Sequence, residues 1–136
     1  MKERYLLDTS VYSQPLRNKP VPASLERWQE AGDNACRVSA VSVAEVEFGL
    51  YLENRPVRWE KYRVLLEDRL QVVATDDGVW REFAKRKARQ QVLGRLVADL
   101  DLLIAASAAH HGLVVATLNG KDFRKMEGIA WEDWSA

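Results

Sequence analysis

The sequence has one cysteine, Cys36, and two histidines, His110 and His111, in 136 residues. A lone thiol excludes an intrachain disulfide, and its setting in "CRVSA" suits a small buried hydrophobe better than a nucleophile. The paired histidines precede Gly112 without a companion His or Cys at zinc-site spacing. They read as helix-end residues placed at the negative end of a helix dipole. Excess charge is lacking too, because 20 Lys and Arg balance 20 Asp and Glu. Any nucleic-acid contact must therefore come from a local patch. No apolar run reaches the roughly 18 residues of a membrane span. Polar chemistry begins at Asp8, before any apolar run of signal-peptide length. Internal repeats and low-complexity segments are missing. The expectation is one domain over residues 1–136, in a reducing cytoplasm, without membrane contact.

What is there is an alternation of short β-like runs and helical stretches. "YLLD" reads as a first strand ending in Asp8. A helix over Pro22–Gly32 leads to a second strand, "CRVSA". Two helices follow, Ser42–Glu53 and "RWEKYRVLLEDRL", and then a third strand over Leu70–Ala74. Asp76 and Asp77 open a helix carrying Val79, Trp80, Phe83 and Ala84. A short buried helix over Asp101–Gly112 precedes a fourth strand, Leu113–Thr117, and "GIAW" offers a fifth. Strands separated by helices require crossover connections. The predicted fold is α/β, a three-layer sandwich with a central parallel sheet of four or five strands flanked by helices. In such sheets the ligand site lies outside the carboxyl ends of the strands.

That rule gives the acids an address. Asp8 ends strand one, Glu45 lies in the first turn after strand two, Asp101 opens the helix before strand four, and Asn119 and Asp122 follow strand four in "TLNGKDF". Carboxylates crowded at one sheet edge repel unless a cation neutralises them. Oxygen donors without histidine or thiol suit Mg²⁺ or Mn²⁺. Each acid also has a local reading. Ser42 and Glu45 fit a capping box, S-x-x-E. Asp101 fits the positive end of its helix, Asp8 fits an Asx-turn, and Asp122 fits a solvated loop. Asp99, two residues from Asp101 and off its helix face, reads as an N-cap.

Three stretches, "YLLDTSVY", "SAVSVAEVEFGL" and "DLDLLIAASAAHHGLVVATLNGKDF", resemble the PIN-domain ribonucleases, in particular the VapC-like toxins of bacterial toxin–antitoxin pairs. The resemblance runs over nearly the whole chain in order and spacing. It implies a parallel sheet between helices and RNA cleavage dependent on Mg²⁺ or Mn²⁺. It maps the family's catalytic acids to Asp8, Glu45 (with Gly49 following) and Asp101, with Asp8 and Asp101 as metal ligands. The fourth position departs from many relatives, carrying Asn119 in place of an acid, with Asp122 three residues on. Thr9 and Thr117 resemble the family's site hydroxyls. The resemblance also implies a small antitoxin partner and a homodimer, with Trp28 and Trp59 as candidate antitoxin contacts.

On this reading metal-activated water attacks the phosphate, and neither Ser10 nor Cys36 is a nucleophile. Between Arg81 and Arg95 six basic residues face one acid, Glu82. Arg81, Lys85, Arg86 and Arg89 are the candidate RNA contacts; a solvated helix face is the alternative. Two rival functions stay open. A strand ending in Asp also suits phosphatases that form an aspartyl-phosphate, but those want a second Asp where Ser10 stands. A PIN-fold binding module with a decayed metal site is the other, and Asn119 keeps it alive.

Overall fold

A computed structural model describes residues 3–136. Five strands, β1 (Tyr5–Leu7), β2 (Cys36–Ser39), β3 (Gln71–Val73), β4 (Val114–Thr117) and β5 (Trp131–Asp133), form one sheet in the order β3-β2-β1-β4-β5. Every pairing is parallel. The crossovers are helical: α1 (Thr9–Tyr12) and α2 (Pro22–Ala31), then α3 (Ala40–Glu53) and α4 (Pro56–Leu65), then α5 (Asp77–Leu93) and α6 (Asp99–His111), and last α7 (Gly120–Arg124). The chain builds outward from β1 to β3 on one side, then returns to lay β4 on the other. The strand order therefore reverses between β1 and β4, the place where such sheets open a crevice.

Strand alternation feeds two cores. Leu6 and Val115 point into one, with Val79 of α5, Leu102 and Ile104 of α6 and Phe123 of α7. Leu7, Val38 and Ala116 point into the other, with Trp28, Leu50, Tyr62 and Trp134. α6 is buried continuously from Leu102 to Ala108, as expected of a helix apolar on all sides. Only its first turn and last turn reach water, and both ends carry chemistry. Among the described residues no helix is long and apolar enough to cross a membrane.

Several expectations change. α3 begins at Ala40, and its cap is Ser39, whose Oγ accepts from the Ser42 N–H at 3.2 Å. Ser42 is thus already inside the helix, so the S-x-x-E capping box does not form and Glu45 is left for other work. α6 begins at Asp99 with Ala98 in the cap position. Asp99 caps nothing; its carboxylate pairs with Lys87 at 3.1 Å. The helix expected to reach Leu70 stops at Leu65, and Asp68 just beyond adopts a left-handed conformation (φ 60°). The fifth strand starts at Trp131, at the end of the expected "GIAW" run. Trp28 is buried, 2% exposed, with its indole N–H on Asp33 and the Arg69 guanidinium over its ring, so it cannot be an antitoxin contact.

Candidate active site

Asp8 stands at the carboxyl end of β1, at the β1–β4 reversal. Its backbone N–H extends the ladder to the Ala116 carbonyl at 2.9 Å. It is also the N-cap of α1, and Oδ1 accepts from the Thr9 N–H at 2.7 Å. Oδ2 accepts from the hydroxyls of Ser10 at 2.9 Å and Thr117 at 2.8 Å. The turn reading of Asp8 is therefore half of the answer. One oxygen serves the local turn, and the other is held across the sheet by β4. A carboxylate that is 5% exposed and fixed by three donors has its orientation set by the fold.

Thr9 links this acid to the next. Its hydroxyl donates to Glu45 Oε1 at 2.6 Å and lies 2.9 Å from the Ser42 hydroxyl. Glu45 projects from the second turn of α3 toward α1, half-buried. The hydroxyls of the expected support residues Thr9 and Thr117 thus each bond a different acid. Ser10 and Ser42 complete the network, a role that sequence reasoning does not give them. The signal for Ser10 is its place two residues after a strand-ending Asp; for Ser42 there is none once its spacing suggests a cap.

The fourth corner is shared. The Asn119 side-chain amide donates to Asp122 Oδ2, while the Asn119 N–H donates to Thr117 Oγ1 at 2.8 Å. Asn119 and Asp122 are therefore not alternatives: the amide holds the acid, and Thr117 ties the pair to Asp8. Gly120 lets α7 approach this corner, because a Cβ there would sit 2.6 Å from the Trp131 ring.

Asp101, in the first turn of α6, reports how these groups feel one another. Burial first, and then the charges of Asp8, Asp122 and Glu45, push its carboxyl up to about 6. Asp8, Asp122 and Glu45 therefore all stand close enough to act on Asp101, which their local readings cannot explain. Among the described residues the only cation paired with any of them is Lys125, 3.9 Å from Asp122. The donor set is all oxygen, held by hydroxyl and amide donors and short of positive charge. That chemistry fits a hard divalent cation. The tight three-ligand group among the described residues, with ligand atoms within 4.8 Å of one another, is formed by none of these acids; it is Asp76, His110 and His111.

The predicted RNA contacts on α5 divide. Arg86 is bound to Glu82 at 2.8 Å and to the Glu127 carbonyl at 2.7 Å. Arg89 pairs with Glu127 at 3.1 Å, and Lys87 with Asp99. Arg81 and Lys85 are exposed and carry no ion pair among the described residues.

The PIN-domain family model matches residues 5–129. The chain belongs to the PIN-domain family. Ribonuclease VapC2 of Haemophilus influenzae is 27% identical over 134 residues, covering 96% of this chain and 98% of that protein. The tRNA(fMet)-specific endonuclease VapC of Shigella flexneri is 27% identical over 135 residues, with 97% and 98% covered. The crystal structure of DNA-bound VapBC from Salmonella typhimurium matches with a TM-score of 0.83 at 27% identity, covering 97% of this chain and 98% of that one. This PIN domain thus carries the expected sheet between helices along the full length of its relatives.

Proposed function

We propose that this PIN domain, acting as one unit over residues 1–136, is an endoribonuclease and the toxin of a cytoplasmic toxin–antitoxin pair. The observation that carries the reading is the convergence of Asp8, Glu45, Asp101 and Asp122 at the β1–β4 edge, tied by Thr9, Thr117 and Asn119 and felt at the Asp101 carboxyl. The ribonuclease and endonuclease names of its relatives support RNA as substrate.

Asp8 and Asp101 would hold Mg²⁺ or Mn²⁺, with Glu45, Asp122 and Asn119 beside them. Such an ion supplies Lewis-acid stabilisation of charge on the phosphoryl oxygens and makes water a better nucleophile. The residues do the rest. Thr9, Ser10 and Thr117 hold Asp8 in one orientation before substrate arrives, so little reorganisation is needed. Glu45 is anchored through Oε1, leaving Oε2 to accept a proton from water attacking in line. Ser10 is occupied by Asp8 and by the Leu118 N–H, so it is no nucleophile. Burial pushes the Cys36 thiol up to about 12, which leaves it inert. Arg81 and Lys85 are the α5 cations free to attract phosphates.

An antitoxin is the proposed protein partner, a reading that the VapBC structure from Salmonella typhimurium supports, and a second copy of the chain is proposed beside it. Phe48, Trp80 and Leu100 line an exposed apolar groove of about 650 Å³ that reaches Glu45. Such surfaces are the kind that protein partners cover.

The test is expression of the wild type and of Asp8→Asn in cells, followed by mapping of RNA 5′ ends. New ends with the wild type alone are expected. The same new ends with both proteins, or with neither, overturn the assignment.

A further inference from the structure

The sequence offers no partner for His110 and His111, but the fold supplies one. Asp76 caps the N-terminus of α5, with one carboxylate oxygen accepting from the Val79 N–H at 3.0 Å and the other left over. α5 and α6 pack together so that this cap meets the last turn of α6. There one ligand atom from each of Asp76, His110 and His111 lies within 4.8 Å of the others. Ligands around a tetrahedral zinc stand about 3.3–3.5 Å apart, so small side-chain rotations close the set.

Four further features suit an ion at this point. The His110 ring lies against Gly78, and any Cβ at that position would overlap it; the imidazole is placed by a missing side chain. The His111 ring stands edge-on to it, with centroids 5.0 Å apart. Among the described residues neither imidazole has a side-chain hydrogen bond and Asp76 has no ion pair, so apart from the α5 cap no other pairing engages the three. The last turn of α6 also presents the negative end of its dipole.

We propose that Asp76, His110 and His111 form a second metal site, for a zinc-type divalent ion, separate from the acidic crevice. Two imidazoles and one carboxylate favour Zn²⁺ over Mg²⁺. With three protein ligands a fourth position remains for water. The ion clasps the start of α5 to the end of α6, the helix whose other end carries Asp101. The site does not depend on the ribonuclease reading.

The experiment is calorimetric titration of Zn²⁺ into the full chain in excess Mg²⁺, which competes for oxygen-donor sites, beside His110→Ala/His111→Ala and Gly78→Ala. One Zn²⁺ per chain is expected, with affinity at least about tenfold weaker in the double variant. Gly78→Ala keeps every ligand but displaces the His110 ring, so it too weakens binding, although alanine favours a helix. Zn²⁺ should raise the melting temperature of the wild type by several degrees and leave the double variant unmoved. Repetition in the Asp8→Asn background should give the same Zn²⁺ stoichiometry. Absence of binding by the wild type, binding unchanged by loss of both histidines, or binding abolished by Asp8→Asn alone overturns the proposal.

Discussion

Replacing Asp101 with asparagine reads the acidic crevice through stability and leaves catalysis aside. The Asp101 carboxyl lies at about 6 against an ordinary value of 3.8, first because of burial and then because of Asp8, Asp122 and Glu45. Its folded value is above its unfolded value, so the native state holds this proton more tightly than the unfolded chain does. The stability linked to that proton is complete below the unfolded value and is lost as pH rises through about 6. Two units correspond to about 3 kcal/mol for a fully shielded group. Asp101 is half-exposed, and screening by water reduces this to about 1–2 kcal/mol. Asparagine keeps the shape and carries no charge. In metal-free buffer the Asp101→Asn variant should match the wild type near about pH 4 and exceed it by about 1–2 kcal/mol at about pH 7. That is roughly 3–8 °C in melting temperature. Urea unfolding midpoints across this range, with a chelator present, measure the difference. A gap that stays flat with pH, or an asparagine variant less stable at neutral pH, refutes the raised Asp101 carboxyl.

Other perturbations probe other parts. Thr117→Val removes the donor that ties buried Asp8 to β4 and the acceptor of the Asn119 N–H. It should cost about 1–3 kcal/mol in urea unfolding, and a neutral effect would show that this network does not hold the crevice. The Cys36 thiol, pushed up to about 12, should resist iodoacetamide in the native protein at neutral pH and react only on unfolding. Rapid labelling of the folded chain would contradict its burial. Arg81→Ala/Lys85→Ala should lower the salt slope of RNA binding by about 0.7 for each phosphate that is no longer neutralised. Arg89→Ala, already paired with Glu127, should leave it nearly unchanged; equal slopes for both variants would contradict this division of α5.

Much of the crevice can be read from order along the chain. Asp8, Glu45, Asp101 and Asp122 each follow or precede a strand, and parallel crossovers bring such positions to one edge. What escapes the sequence is partnership across that edge. The spacing of Ser42 and Glu45 matches a capping box, but Ser39, still extended at the end of β2, reaches the cap position first. The basic run on α5 looks like a phosphate-binding surface until Glu127, 41 residues beyond Arg86, turns back upon it. Trp28 sits on an amphipathic helix like a surface aromatic, yet Asp33 and Arg69 close over it. Asn119 looks like a missing acid while its partner is out of view; in the fold it holds Asp122. His110 and His111 have no ligand companion along the chain because Asp76 comes from another helix. Local pattern carries the elements and the edge, and tertiary contacts decide which side chain is free to act.

Cleavage of RNA by purified protein in Mg²⁺ probes the acidic crevice most directly. Wild type, Asp8→Asn and chelator-treated wild type should be compared on one substrate, with folding checked by unfolding midpoints. Endonucleolytic cuts by the wild type, reduced at least about a hundredfold in both other samples, are predicted. Cleavage by Asp8→Asn at the wild-type rate, or cleavage indifferent to the chelator, would contradict a metal-dependent nuclease centred on Asp8.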